Sequence, residues 1–403
     1  MPPTSSPHNP RMQRKGRNIV DIPTELLIVI VDALNDKEQR ELMCVSQYFF
    51  QVVGPGIWKT VPRVELLLRL IEGTQFSVTR IPVGYGPSIG VHEMTFPSDP
   101  DLTRLNIYTP WVQELEIYGA YFQKIMNPDL FIATLDGRPP LENLRRLTAI
   151  ISYPKIANER NEPMNLFTMF ISPSLIEIRT FTPPTGFYLG PRPFVHSHVV
   201  RGFLEKIKNT CPKIQKLEFY PEIIGIYEWL DDPCRSILSS LVNLCSFSCT
   251  TQILDPKLLG MLGQLPHLES LGILGSSEGP SVLDGDLSIP ETWFLALKDL
   301  RLHRVHHEDI RILWNQPTIV KNLVSATIQA DALPYSKNWV GPFFQACLPL
   351  TPHLNLSFYL NGGYGDRRIR PEYWTWFEEN DGLSPVFYSY LRARRRRKRL
   401  RAA

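Results

Sequence analysis

The feature that most constrains this chain is a spaced trio of apolar residues that recurs along most of its length. In each copy an apolar residue is followed by two variable residues, a second apolar residue, one variable residue and a third apolar residue. Copies fall at Leu102-Leu105-Ile107, Val112-Leu115-Ile117, Ile214-Leu217-Phe219, Leu244-Phe247-Cys249, Leu268-Leu271-Ile273, Leu297-Leu300-Leu302 and Leu323-Ala326-Ile328. Weaker copies lie at Leu144-Leu147-Ala149 and Leu175-Ile178-Thr180. Beyond the first copy, middle residues are separated by between 24 positions (Phe247 to Leu271) and 39 (Ile178 to Leu217). The last two apolar residues of each trio alternate with polar ones, as a strand with one buried face requires. Segments between the trios, such as FLEKIKNTC, RSILSSLVN and PKLLGMLGQL, carry apolar residues at helical spacing. One such unit leaves its apolar face bare; stacking neighbours buries it continuously.

This pattern resembles an irregular leucine-rich repeat array over residues 101–360. The resemblance implies an α/β fold, a solenoid with a parallel sheet on one face. Spacing is uneven and no strict Asn or Cys follows each strand, so a parallel α/β sheet of non-repeat type is the structural competitor.

A second feature lies at residues 19–59, IVDIPTELLIVIVDALNDKEQRELMCVSQYFFQVVGPGIWK. Pro23 suits the first turn of a helix, where its missing N–H costs nothing. Leu26, Leu27, Ile30, Val31 and Leu34 follow at helical spacing. Asp36 with Gln39 three residues on reads as a capping box for a second helix bearing Leu42, Met43 and Val45. A third helix from Ser46 carries Phe49 and Phe50, and Gly54-Pro55-Gly56 is expected to stop it before Ile57 and Trp58. So small a unit cannot bury this much apolar surface alone.

The order Ile22-Pro23, Glu25-Leu26, Ile30, Leu34, Val45-Ser46, Phe49 and Trp58 resembles an F-box. The resemblance implies docking on a Skp-type adaptor, and through it a cullin-RING ubiquitin ligase, by Ile22, Pro23, Leu26, Leu27, Ile30, Leu34, Leu42, Val45, Phe49 and Trp58. Two places depart from the family pattern. Gln39-Arg40 stands where an apolar residue, usually Leu, opens the second helix, and Gln47-Tyr48 replaces the usual basic pair.

The net charge of +3 hides an asymmetry. Of 43 basic side chains, four fall in residues 1–18 and eight in 392–403, so against 40 acidic ones the body balances at −9. An acidic body with basic ends does not describe a nucleic-acid binder. The run from Arg392 to Arg401 reads as a solvated tail or a nuclear-import signal. Residues 1–18 read as a disordered basic arm, 61–100 as a linker or cap containing the helix VPRVELLLRLI, and 361–391 as an aromatic-rich cap. The 36 prolines exceed the usual share of about 5%. Six cysteines without a repeated framework indicate free thiols in a reducing compartment, cytoplasmic or nuclear, and no run is long enough to span a bilayer.

Catalytic and metal-binding patterns are weak throughout. Gly84, Gly86 and Gly90 lack the preceding strand that a phosphate loop needs, and read as a surface loop. His303, His306, His307, Glu308 and Asp309 lack metal-ligand spacing and read as solvated polar residues. Cys245 and Cys249 have no second pair, and Cys249 falls on an inward position. His196 and His198 have no ligand partner in sequence reach. Asn355-Leu356-Ser357 matches a glycosylation acceptor that an intracellular chain would not use. The expected role is a non-enzymatic substrate receptor of a ubiquitin ligase, with no cofactor or metal and with the repeats binding a protein target. A repeat scaffold without ligase machinery and an α/β enzyme are the alternatives.

Overall fold

A computed structural model describes residues 22–81, 89–119, 122–151, 167–181, 197–221, 231–275, 281–332 apart from 284 and 286, 343, 345 and 354–362. The expectations for the basic arm, most of the glycine-bearing loop, the aromatic-rich cap, the basic tail and the side chains of His196 and His198 fall outside these residues. The chain divides into two compact units, Met1–Thr60 and Val61–Ala403.

The first unit holds three helices: α1 (Thr24–Asp32), α2 (Asp36–Met43) and α3 (Gln47–Trp58). The Pro23 carbonyl accepts the first helical bond of α1, from Leu27 N–H at 3.1 Å. The capping box of α2 lies one residue earlier than the sequence suggested. Asn35 Oδ1 accepts from the N–H groups of Lys37 and Glu38 at 3.0 and 3.1 Å, and the Glu38 carboxylate accepts from Asn35 N–H at 3.0 Å. Asn35 has the extended backbone a cap needs, which leaves Gln39 free for another task. Nor does Gly54-Pro55-Gly56 stop α3, which runs through to Trp58. Pro55 forgoes one helical bond, but Val53 and Ile57 on either side pack into the core and hold the last turn. That core is Leu27, Val31, Phe49 and Val53, with Ile22, Leu42, Met43, Tyr48 and Val52 packed against it.

The second unit opens with Val61, the last residue of β1 (Thr60–Val61), and α4 (Val64–Leu68), not with one continuous helix. Pro62 pushes the residue before it toward extended backbone and so delays the helix. Next come β2 (Gln75–Ile81) and β3 (Ile89–Thr95), which pair antiparallel, so both ends of the expected loop at 79–90 are strand. The first apolar trio, Leu102-Leu105-Ile107, is not a strand but lies on α5 (Thr103–Tyr108). Asp101 Oδ1 accepts from Thr103 N–H at 2.8 Å and starts a helix there, and an i, i+3 pair such as Leu102 and Leu105 suits helix as well as strand. β4 (Glu114–Gly119) follows, then β5 (Phe122–Ile125), which joins β2 and β3 in a three-stranded sheet, and α6 (Pro128–Thr134).

The remaining trios form the main sheet. Its strands continue with β6 (Arg146–Ile151), β7 (Glu177–Phe181), β8 (Lys216–Glu218), β9 (Ser246–Thr250), β10 (Ser270–Leu274), β11 (Asp299–His303), β12 (Ser325–Ala332) and β13 (Asn355–Gly362). Helices lie between them: α7 (Ser197–Thr210), α8 (Asp232–Ser239), α9 (Pro256–Gly263), α10 (His307–Trp314) and α11 (Pro317–Val320). The fold is mixed α/β, and the ten-stranded order is β1-β4-β6-β7-β8-β9-β10-β11-β12-β13. Every pairing from β4 to β13 is parallel.

The middle residues of the trios share one register. Leu115, Leu147, Ile178, Leu217, Phe247, Leu271, Leu300, Ala326 and Leu356 face one another across successive strands. None is more than 6% exposed, so this column is core along its whole length. The leading residues Val112, Leu144, Leu175, Ile214, Leu244, Leu268, Leu297 and Leu323 are buried beside it.

What holds the register is a doubled hydrogen bond at the start of each main-sheet strand from β6 to β12. The Gln113 carbonyl accepts from the N–H groups of both Arg145 and Arg146, and the Arg145 carbonyl from those of Ile176 and Glu177. Ile176, Gln215, Cys245, Glu269 and Lys298 each repeat the arrangement with the next pair along. Side chains just ahead of the leading apolar residue add a second tie. Asn143 Nδ2 donates to the Pro110 carbonyl at 2.8 Å, Ser174 Oγ to that of Leu144 at 2.8 Å, and Asn243 Nδ2 to that of Pro212 at 3.2 Å. Phe167, Phe203, Phe219 and Phe247 link neighbouring units through ring contacts with centroids 5.8 to 6.0 Å apart.

One sequence expectation is corrected here. Asp309 is not solvated but fully buried. Its carboxylate accepts from Ser281 Oγ at 2.6 Å and from the N–H groups of Val282 and Leu283 at 3.0 and 2.9 Å, fixing the chain ahead of β11. The glycosylation-like Asn355-Leu356-Ser357 lies on β13, where Leu356 packs in the core column.

Leu217→Ala, Leu271→Ala and Leu300→Ala should each cost about 2–5 kcal/mol by leaving cavities in one shared column, as read by chemical denaturation. Asp309→Ala should cost about 3 kcal/mol, because the N–H groups of half-buried Val282 and buried Leu283 lose a charged acceptor.

Candidate functional site

The first unit is two-faced. Its Leu27 and Phe49 lie in its own core, while Ile22, Leu34, Leu42 and Trp58 are half-buried. Pro23 is exposed, and Leu26, Ile28, Val29, Ile30 and Val45 keep 46% to 68% of their surface open. Leu26, Val29 and Ile30 follow the i, i+3, i+4 rule, so they form one apolar stripe on α1, and Leu27 and Val31 form the buried one. Sequence reasoning missed Ile28 and Val29, although the 26/29/30 spacing carried the signal.

The departures from the F-box pattern have local uses. Gln39 Nε2 donates to the carbonyls of Val31 at 2.9 Å and Leu34 at 3.1 Å, satisfying the open end of α1 from α2. A Leu there would pack but leave those carbonyls bare. Tyr48 donates to the Ile22 carbonyl at 3.4 Å and meets Phe49 edge-on at 5.7 Å. Arg40 is exposed.

The second candidate surface is the polar face of the main sheet. Toward one end it carries charge: Arg146 lies 3.1 Å from both Glu114 and Glu177, and Glu177 also contacts Arg179 and, at 3.9 Å, Lys216. Further along it carries hydroxyls. Ser270 and Ser325 donate to Asp299 at 2.8 and 2.6 Å, and Arg301 donates to Ser270 at 3.0 Å. Tyr220 donates to Glu218 at 2.6 Å; burial, then the Glu218 charge, push its hydroxyl far above the usual tyrosine range, so it remains a donor.

Among the described residues no three His, Cys, Asp or Glu side chains converge as a metal site. His306 caps α10 by accepting from Glu308 N–H at 3.3 Å, with the His307 ring 4.3 Å away. The described cysteines, Cys44, Cys211, Cys234, Cys245 and Cys249, are free thiols. Burial pushes Cys211 and Cys234 up to about 12, so both stay protonated at neutral pH. Among the described residues no helix is long and apolar enough to cross a membrane. Set against known protein families and curated proteins, the chain matches no family model and no curated protein.

Gln39→Ala should speed amide exchange at the end of α1 and destabilise the first unit by about 1 kcal/mol. A second outcome concerns pH. Burial, then the neighbouring His306, hold His307 below its ordinary 6.5, so the unfolded chain binds a proton there more readily than the folded one. Stability should therefore fall as pH drops through the region just below 6.5, and His307→Gln should flatten that part of a pH–melting curve.

Proposed function

We propose that this chain is the substrate-receptor subunit of a cullin-RING ubiquitin ligase, with an F-box at residues 19–60 and an irregular leucine-rich repeat solenoid at 101–360. The observation that carries the reading is the apolar stripe of Leu26, Val29 and Ile30, with Pro23 and Val45 also exposed, on a three-helix unit whose own core is already filled. Exposed apolar residues grouped this way mark a protein interface. It coincides with the landmarks that resemble an F-box, and the partner is a Skp-type adaptor.

The repeats would hold a protein target with the polar face of their sheet. Such a subunit makes and breaks no bonds and needs no cofactor; it raises the effective concentration of target at the ligase. Work in the nucleus fits the basic run from Arg392 to Arg401, read as an import signal.

Leu26→Asp should abolish co-purification with a Skp-type adaptor, because the complex would bury an unpaired carboxylate at a cost of several kcal/mol. Its melting temperature should stay close to that of the parent, since Leu26 is exposed in the free chain. Undiminished adaptor capture would overturn the reading; target capture without any adaptor would favour a plain scaffold. Deleting residues 392–403 from a fluorescent fusion should shift it from nucleus to cytoplasm, and an unchanged distribution would remove the import signal.

A further inference from the structure

Where strands β6, β7 and β8 begin, the second unit has an open groove of about 360 Å³ lined by Gln113, Asn143, Arg145, Ser174, Ile176 and Lys213. Arg145 and Lys213 are exposed, and neither has a carboxylate within ion-pair distance among the described residues. One residue on from Arg145 and three on from Lys213, the strands bring Arg146 and Lys216 to the polar face, with Glu177 between them in register and Arg179 two residues further along β7. There Glu177 is nearly buried among three cations and Glu114 meets only the first of them. Charge on that face is answered in its own row of Glu114, Arg146, Glu177 and Lys216, so the positive charge left without a carboxylate is that of Arg145 and Lys213 in the groove, in a body that is otherwise acidic.

Chemistry narrows what could sit there. Asn143 and Ser174 are committed to backbone carbonyls, so they position the turns and offer little to a ligand. Half-buried Ile176 lies between the two free cations and gives the groove an apolar floor. Arg145 immediately precedes β6 and Lys213 lies three residues ahead of β8, so at least two strand spacings, roughly 10 Å, separate them. Along an extended peptide this distance is spanned by about three residues. We infer that the groove binds an acidic segment of a partner protein, with two carboxylates three residues apart on Arg145 and Lys213 and an apolar side chain over Ile176. The inference rests on the reading of the second unit as a target-binding surface, but not on adaptor docking.

The test uses the full chain and a fluorescein-labelled peptide, Gly-Glu-Ala-Leu-Glu-Gly, followed by anisotropy. The peptide should bind, and binding should weaken as salt is raised. Arg145→Glu combined with Lys213→Glu should weaken it by about tenfold or more, whereas Arg145→Lys with Lys213→Arg should retain it. Moving the two Glu residues to adjacent positions should weaken it as well. The inference is overturned if the charge-reversed chain, shown by its melting curve to be folded, binds as before. It is equally overturned if the peptide with Lys in place of Glu binds as well, or if an octauridylate RNA binds more tightly at the same residues. Adaptor capture by the same preparations separates the two readings: peptide binding lost with adaptor capture intact sinks only the groove, and the reverse sinks only the F-box reading.

Discussion

The structure depends on one carbonyl oxygen accepting two consecutive N–H groups at the start of each main-sheet strand from β6 to β12. A side-chain period of two makes a sheet vulnerable to slippage, since a shift of one residue would turn every core side chain outward. The doubled bond fixes where pairing begins. Once Gln113 holds Arg145 and Arg146, Leu147 must face the same way as Leu115, and the geometry passes unit by unit to Ala326. Charge on the polar face follows from the same constraint, because Glu114, Arg146, Glu177 and Lys216 occupy one register position and so meet as neighbours.

The two units solve the burial problem differently. In the second, the apolar column of the main sheet is buried along its described length. In the first, four fully buried side chains complete a core that α1 serves with only one of its stripes. An uncovered apolar helix face costs solubility and brings no folding stability, and it is on this face that the proposed adaptor would dock. Gln39 sharpens the point: closing α1 with a side chain from α2 stiffens the helix that carries the exposed stripe.

Most of the sheet was legible in the sequence because its apolar spacing is set by burial, and burial is nearly invariant down the column. Leu271 and Leu300 could be placed on equivalent strands from spacing alone. The spacing misled at Leu102-Leu105-Ile107, where an aspartate ahead of Thr103 starts a helix that the same spacing also permits. It was silent at Leu356, since His353 stands where the leading apolar residue would be. The side-chain tie from Asn143 and Asn243 stands one position ahead of the trio, not after the strand where a leucine-rich repeat carries its Asn or Cys. For the first unit, spacing could mark which residues are apolar, but not that Leu27 and Phe49 turn inward while Leu26 and Val45 stay out. The buried role of Asp309 left no local trace, because its partners lie 26 to 28 residues earlier in the chain.

The neighbour-to-neighbour order of the main sheet also bears on how such a chain can change over evolutionary time. Register is fixed at the strand starts, so the segments that run from one strand to the next are released from any common length. They range from a short helix between β9 and β10 to the far longer path between β7 and β8. Closing a flexible segment of twice the length costs only about 0.6 kcal/mol more. Insertions and deletions can thus accumulate between strands while the polar face keeps its rows. A lineage could diverge past recognition in its overall sequence and still present the same ordered grid of side chains to whatever it binds.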